Sequence, residues 1–203
     1  MDDTQILEQG QAMIRAEGRV VEAIAEQLDD GFVRAAHTIA EATGVVMTTG
    51  AGTSGTMARR MAHLFATTGM HAFYVSSAEA LHGPSAMTGP GDVLIAISKG
   101  GRSAEINQFA GLARRRGVKV VSMTWEPDSA LAQLSDVVLI IRPDVSGEGD
   151  GVLPFGSTLA NGAVGDALCL VVKNLRGFDL NTMVETHPSG DTAARIQEKA
   201  GGK

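Results

Sequence analysis

Two glycine-rich loops carry the residues best suited to bind an anion. Gly50–Gly55 follows the apolar run Val45–Thr49, and Ser98–Ser103 follows Val93–Ile97. Each run is typical of a β-strand, and each loop leads into a helix-like segment. At the N-terminus of such a helix, exposed backbone N–H groups and the positive end of the helix dipole both point at a ligand. The two loops together predict one phosphorylated ligand that is held from two sides.

Three further residues have the chemistry for proton transfer. Glu105 lies in the first turn of the helix after the second loop, where a carboxylate commonly does no more than stabilise the helix dipole. His82 and His187 lie in predicted loops, where a single histidine is usually just solvated. One carboxylate and two imidazoles beside two phosphate loops nevertheless have the composition of an acid–base set. The histidines show no metal-ligand spacing, so we expect no catalytic metal.

The first loop also matches the dinucleotide-binding fingerprint, which needs glycine at its first, third and sixth positions. Gly50, Gly52 and Gly55 supply these glycines. The fingerprint further needs an acidic residue at the end of the second strand to hold a ribose, and Ser76 and Ser77 occupy that place instead. The phosphate of a small sugar therefore fits this loop better than a nucleotide cofactor.

Alternating helix and strand patterns predict an α/β fold. Apolar residues at helical spacing predict an amphipathic helix over 3–28 and a shorter one near 30–42. Beyond residue 44 the pattern predicts strands at 44–49, 70–75, 92–98, 118–124 and 136–142, with helices at about 54–68, 78–82, 103–116 and 127–134. Near-continuous apolar strands with helical crossovers indicate a five-stranded parallel sheet covered on both faces, a three-layer α-β-α sandwich. Both glycine-rich loops fall at the carboxyl ends of the strands, where such sheets bind ligands.

The length of 203 residues predicts a single domain. We expect N-terminal helices over 1–43, an α/β core over 44–190 and a polar, frayed tail over 191–203. The last part of the core contains an apolar helix, Leu159–Leu175, which Arg176-Gly177 should stop.

Composition narrows the class of protein further. The net charge of −6 argues against a nucleic-acid partner, and no apolar run is expected to be long enough to span a membrane. The single cysteine, Cys169, excludes an internal disulfide and is expected to be a small core residue. Since the acidic N-terminus has no signal-peptide core either, we expect the reducing cytoplasm.

The order of these motifs resembles the sugar isomerase (SIS) domain. After Gly50–Gly55 come Ser76–Gly83, then Gly91–Ser98, then Ser103–Ile106 and finally His187–Gly190. Within that superfamily the chain is most similar to bacterial arabinose-5-phosphate isomerases, over about residues 10–190. Many members carry a further pair of cystathionine-β-synthase-type regulatory domains. The chain stops before them and is expected to belong with the short members.

The resemblance implies cofactor-independent exchange of an aldose phosphate and a ketose phosphate. Ser54, Ser98 and Ser103 match the hydroxyls that hold the phosphate in the family. Gly52, Thr53 and Lys99 of the two loops complete the predicted phosphate-binding set. Glu105 matches a catalytic glutamate, and His82 and His187 match active-site histidines. His187 is expected to reach into the site of a neighbouring subunit.

Several positions depart from the family pattern. Thr53 stands where the family has a lysine, and Ser146 where it has a second functional glutamate. Lys99 and Arg102 occupy positions that asparagine and glutamate usually fill. Lys99 is predicted to supply part of the charge that the first loop lacks, because an ammonium on a long stem can serve a ligand from another backbone position. The alternative is a solvated lysine at a loop tip.

These departures leave three functions open. The chain is an arabinose-5-phosphate isomerase, an isomerase for another sugar phosphate such as a hexulose 6-phosphate, or a phosphosugar-binding module without turnover. Retention of Glu105, His82 and His187 favours an isomerase, because a binding module needs the loops but not the acid–base set.

Apolar surface without a cover in this chain predicts assembly. The stripe on the 3–28 helix and the 159–175 segment have no second domain to pack against. Such surface usually marks an interface between copies. We expect a homo-oligomer, which by resemblance is a tetramer.

Overall fold

The computed structural model describes residues 1–144, 153–179, 183 and 189–201. Five strands run through the middle of the chain: β1 (Val46–Gly50), β2 (Ala72–Tyr74), β3 (Val93–Ile97), β4 (Lys119–Thr124) and β5 (Val137–Ile140). The helices described are α1 (Asp3–Ile24), α2 (Asp30–Ala40), α3 (Gly52–Thr67), α4 (Ser77–Ala80), α5 (Ala104–Arg115), α6 (Ala130–Gln133), α7 (Phe155–Leu175) and α8 (Asp191–Gly201). Short 3₁₀ turns lie at Ala25–Gln27 and Pro84–Met87.

The five strands form one sheet in the order β2-β1-β3-β4-β5. Every neighbouring pair is parallel, with Val46 opposite Val93 and Val93 opposite Lys119. This confirms the predicted five-stranded parallel sheet. Each strand lies inside its predicted range, except that β1 runs one residue further to Gly50, because long runs of buried Val and Ile are unambiguous. The edge strand β2 keeps only three residues of the six predicted.

Helices cover both faces of the sheet. Alternate residues of β3 point to opposite sides, so Val93, Ile95 and Ile97 join a core with α2, α3, α7 and the end of α1. Leu94 and Ala96 join a second core with α5 and α6. The three-layer sandwich is therefore confirmed, and α3 and α5 leave the sheet on opposite faces.

The helix α7 has a composition that would suit a membrane as well as a protein core. Among the described residues, α7 is the helix that is long and apolar enough to cross a membrane. The sequence had predicted no run of that length. Half of that span is buried, since α7 packs against α1, α2 and α3. Arg176 caps its end and Gly177, at φ +63°, turns the chain away as predicted. Burial also raises the pKa of the Cys169 thiol, which is the expected core residue.

The expectation of a frayed tail was wrong for the described residues beyond Gly190. They form the helix α8, in which Ala193 is 5% and Ile196 8% exposed. These two side chains lie three residues apart and therefore share one helix face. Two buried apolar residues on one face are enough to pack α8 against the protein, although the polar composition of the segment predicts a frayed tail.

Candidate active site

The two predicted phosphate loops begin at neighbouring strand ends. β1 and β3 pair in parallel with Gly50 opposite Ile97, so both loops leave the sheet at the same level. From β1 the chain crosses to β2 on one side, whereas β3 lies on the other side. This is the switch point at which open α/β sheets bind ligands, because the connections diverge and leave a crevice.

Close approach of two glycines shapes the first loop. A Cβ on Gly50 would lie 2.8 Å from the carbonyl carbon of Ser54, and one on Gly55 would lie 2.7 Å from the carbonyl oxygen of Gly50. Only glycine fits at both positions, and β1 therefore turns directly into α3. No described side chain caps this helix. The N–H groups of Gly52, Thr53 and Ser54 are the first-turn donors that such a helix end offers to an anion.

The second loop brings two serine hydroxyls together at the start of α5. Ser98 Oγ and Ser103 Oγ lie 3.5 Å apart, and Ser98 is 5% exposed. Ser103 is the N-cap residue of α5, but its side chain makes no hydrogen bond to the helix. Both hydroxyls therefore lie beside the first-turn N–H groups of α5, an arrangement that suits a phosphate.

Glu105 occupies the first turn of α5, two residues after Ser103. Its side chain is half-buried. Over the residues that the structure describes, its carboxylate has neither a hydrogen-bond nor an ion-pair partner. The position stabilises the helix dipole, and it also leaves both carboxylate oxygens available at the edge of the second loop.

His82 is exposed in the turn that follows α4. Its backbone N–H donates to the carbonyl of Glu79 at 3.0 Å. Because α4 packs against α5, this turn lies on the same face of the sheet as Glu105. The third member of the predicted set, His187, lies outside the described residues, as does Ser146.

Of the four residues that depart from the family pattern, Ser146 lies outside the described residues, Arg102 is exposed, and Thr53 and Lys99 make separate contacts. Thr53 is exposed at the start of α3, and its carbonyl accepts a hydrogen bond from Thr56 Oγ1. The ammonium nitrogen of Lys99 lies 4.0 Å from the centre of the Trp125 ring, at the end of β4. Lys99 therefore leans away from Thr53 and contacts an aromatic face.

Tyr74, at the end of β2, is a contact that the sequence analysis missed. Its hydroxyl donates to the carbonyl of Gly50 at 3.1 Å and so supports the first loop. The guanidinium carbon of Arg59 lies 3.9 Å from the centre of the Tyr74 ring. The sequence signal was present, since Tyr74 is the only tyrosine of the chain and lies near the end of a predicted strand.

A cleft of about 380 Å³ adjoins this side of the first loop. Glu79 and Pro84, which flank the turn of His82, both line it. Its other lining residues are mostly apolar: Met47, Arg59, Phe73, Tyr74, Val75, Ser76, Met87, Thr88 and Phe109. The volume lies in the range of small-molecule sites, but none of the predicted phosphate-binding or acid–base residues that the structure describes lines this cleft. No group of three His, Cys, Asp or Glu side chains within the described ranges could hold a metal ion.

The part of the chain that carries the two loops, the five strands and Glu105 matches the model of a known family. A family model for the SIS domain matches residues 39–171, which include all five strands and both loops. The chain belongs to the SIS domain family. The resemblance read from its motifs is thereby confirmed.

Several relatives of this SIS domain are named arabinose 5-phosphate isomerases. Arabinose 5-phosphate isomerase KdsD of Salmonella typhi is 33% identical over 187 residues, which are 92% of this chain and 57% of that protein. Arabinose 5-phosphate isomerase GutQ of Escherichia coli K12 is 32% identical over 194 residues, 96% of this chain and 60% of that protein. The chain thus spans less than two thirds of the length of these relatives.

A solved structure of similar extent contains a ligand. The structure of E. coli CFT073 c3406 in complex with arabinose 5-phosphate matches with a TM-score of 0.87 at 29% identity. The match covers 93% of this chain and all of that one. The SIS fold is therefore shared over nearly the whole chain.

Proposed function

We propose that this SIS domain is an aldose–ketose isomerase for a phosphorylated sugar, with arabinose 5-phosphate as the first substrate to test. The observation that carries the proposal is the meeting of two serine-bearing loops at the switch point of the sheet, with the unpartnered carboxylate of Glu105 beside them among the described residues. Relatives named arabinose 5-phosphate isomerases and a similar structure that holds this sugar phosphate support the reaction and the ligand.

In this proposal the two loops bind the phosphate. The N–H groups of Gly52, Thr53 and Ser54 and the hydroxyls of Ser98 and Ser103 supply the donors. Both helix N-termini favour the negative charge. Because the phosphate does not react, its binding energy serves to place the distant C1 and C2 atoms against the acid–base groups.

Proton transfer then needs one base and one partner for the oxygens. The Glu105 carboxylate removes the proton on one of the two carbons, the C–H electron pair forms the double bond of an enediolate, and the protonated carboxyl returns a proton to the other carbon. His82 and His187 are assigned to the hydroxyl and ring-oxygen protons. C1 and C2 exchange oxidation state within one molecule, so the reaction as written requires no cofactor.

The rest of the proposal concerns the setting of the protein. We place the protein in the cytoplasm as a homo-oligomer. Its proposed partner is a small sugar phosphate, and we propose that it binds neither nucleic acid nor a membrane. The acidic net charge of −6 and the half-buried state of α7 support this.

The test is a panel of pentose and hexose phosphates incubated with the protein in D₂O and followed by NMR. We expect exchange between one aldose phosphate and its ketose, with deuterium entering at C1 of the ketose and at C2 of the aldose, because the transferred proton passes through a group that exchanges with solvent. Binding of a sugar phosphate without any exchange would identify the chain as a binding module, the alternative that the exposed Thr53 in the first loop favours.

A further inference from the structure

Lys99 lies on an aromatic platform at the edge of the candidate site. Its ammonium nitrogen is 4.0 Å from the centre of the Trp125 ring. Trp125 follows β4, the strand beside β3, and the face of an indole is the best side-chain partner for a cation. Lys99 is exposed, as the alternative of a solvated loop lysine expects, but its ammonium also has a defined aromatic contact.

Backbone contacts fix the relative position of these two residues. The N–H of Trp125 donates to the carbonyl of Lys99 at 2.8 Å, and Thr124 Oγ1 donates to the same oxygen at 3.0 Å. Two residues further on, Gly101 has a φ of +60° and packs so closely that an added Cβ would collide with the side chain of Ser129. The loop that carries Lys99 is thus joined to the loop that carries Trp125.

Trp125 is itself held from the other side. Arg142 donates to its carbonyl oxygen from Nε at 3.1 Å and from Nη2 at 2.9 Å. The backbone of Arg142 exchanges two hydrogen bonds with the side chain of Gln27. The carboxylate of Glu126, which adjoins Trp125 in the chain, lies 4.0 Å from Arg142 and so already has a cationic partner. The backbone of Trp125 is thus held on both sides, and the neighbouring carboxylate of Glu126 pairs with Arg142 rather than with Lys99.

We propose that Trp125 is a positioning residue that holds the Lys99 ammonium as a fixed charge beside the phosphate loops. Lys99 directly follows Ser98, whose hydroxyl meets that of Ser103, whereas the first loop offers only the neutral Thr53. A free lysine loses rotamer entropy when it is immobilised, and stacking on Trp125 removes part of that loss before a ligand binds. Lys99 and Trp125 together thereby raise the affinity of the site for a phosphorylated sugar relative to an uncharged one. This inference rests on the proposed function.

The test compares four variants with the wild type: Lys99→Met, Trp125→Leu, Trp125→Phe and the double variant of Lys99→Met with Trp125→Leu. The readouts are the KM and kcat for the sugar phosphate and the Kd for inorganic phosphate by calorimetry. We expect Lys99→Met to weaken phosphate binding about 10-fold or more, as for loss of a hydrogen bond to a charged group. Trp125→Leu should weaken it roughly 2- to 5-fold, the range for an exposed cation–π contact, with less change in kcat. Trp125→Phe should restore most of the loss.

The double variant separates positioning from mere packing. If Trp125 acts through Lys99, Trp125→Leu has no further effect on KM in the Lys99→Met background. An equal loss in both backgrounds, or no loss in either, would overturn the proposal. Lys119→Met is the matched control, because it removes the same charge at the opposite end of β4, where Lys119 pairs with Asp136.

Fluorescence tests the contact without any activity. Trp125 is the only tryptophan of the chain, so its emission should change in Lys99→Met and not in Lys119→Met. Unchanged emission in Lys99→Met would contradict the contact. A wild-type protein that binds neither phosphate nor any sugar phosphate would overturn the proposed function and this inference together. If the wild type binds phosphate and the Trp125→Leu variant binds it equally well, the inference alone is overturned.

Discussion

Glu105 is the residue on which the proposed proton transfer depends most. Its carboxylate is half-buried and has no partner in the described chain, although Ser103, whose hydroxyl meets that of Ser98, lies only two residues before it. A carboxylate placed only to stabilise a helix dipole has no need of such a location. The difference between the two roles is measurable, because one affects turnover and the other affects folding.

We predict that Glu105→Gln lowers kcat by about 10²–10⁴ and leaves the Kd for the sugar phosphate nearly unchanged. The amide keeps the shape of the side chain but cannot accept a proton. Steady-state kinetics and calorimetry on the same preparation give the two numbers. Glu41→Gln, an equal change at the exposed end of α2, is the control. Equal losses of binding and turnover would show that Glu105 is structural.

At the scale of elements, the first loop depends on the close packing of β1 against the start of α3. Gly55 has the carbonyl oxygen of Gly50 where a Cβ would lie, and this oxygen also accepts the hydroxyl of Tyr74. The Gly50 carbonyl belongs to the backbone, so it cannot move aside as the end of a flexible side chain can. Any side chain at Gly55 must therefore move the loop that carries the phosphate donors.

We predict that Gly55→Ala destabilises the protein by about 1–3 kcal/mol and weakens phosphate binding as well. Thermal unfolding and phosphate calorimetry measure the two effects. The control is Gly111→Ala in α5, where the new Cβ would make only ordinary contacts, at 3.6 Å to Arg115 and 3.7 Å to Leu134. Gly111→Ala should leave both quantities unchanged or slightly raise stability, since alanine favours a helix. A Gly55→Ala protein of normal affinity would show that the loop tolerates a shift.

The elements differ in how far the sequence alone predicts them. Buried strands such as β3 and the glycine loops after them follow directly from composition. Tyr74 contacts Gly50 from 24 positions away, and Trp125 contacts Lys99 from 26 positions away. Both contacts exist because β2 lies beside β1 and β4 lies beside β3 in the sheet. Apolar periodicity specifies which residues form strands but not which strands are neighbours, and these supports of the site were therefore missed.

At the scale of the whole molecule, α1 extends beyond the core that should stabilise it. Its buried residues are Ala16, Val20 and Ile24, all in the second half of the helix. Residues 3–15 span roughly 20 Å at 1.5 Å per residue and include no buried side chain. An isolated helical segment of this length is marginal in water, so a partner surface is expected.

Apolar side chains on this segment indicate what kind of partner it takes. Ile6, Leu7 and Ile14 are 54%, 62% and 69% exposed, and at about 100° per residue they share one side of the helix. Leu170 on α7 is 57% exposed as well. Surface of this character fits a second copy of the chain, which is the basis of the proposed homo-oligomer.

We predict that light scattering at micromolar concentration gives an oligomer, a tetramer by resemblance, and that Leu7→Lys with Ile14→Lys dissociates it. Two buried charges without partners would outweigh the apolar contacts. Ala12→Lys is the matched control, since it adds a charge on the opposite side of α1 and should leave the assembly intact. If His187 acts in the site of a neighbouring subunit, isomerase activity falls together with assembly, whereas phosphate binding by Ser98 and Ser103 survives. A stable wild-type monomer would refute the assembly and require His187 to act within its own chain.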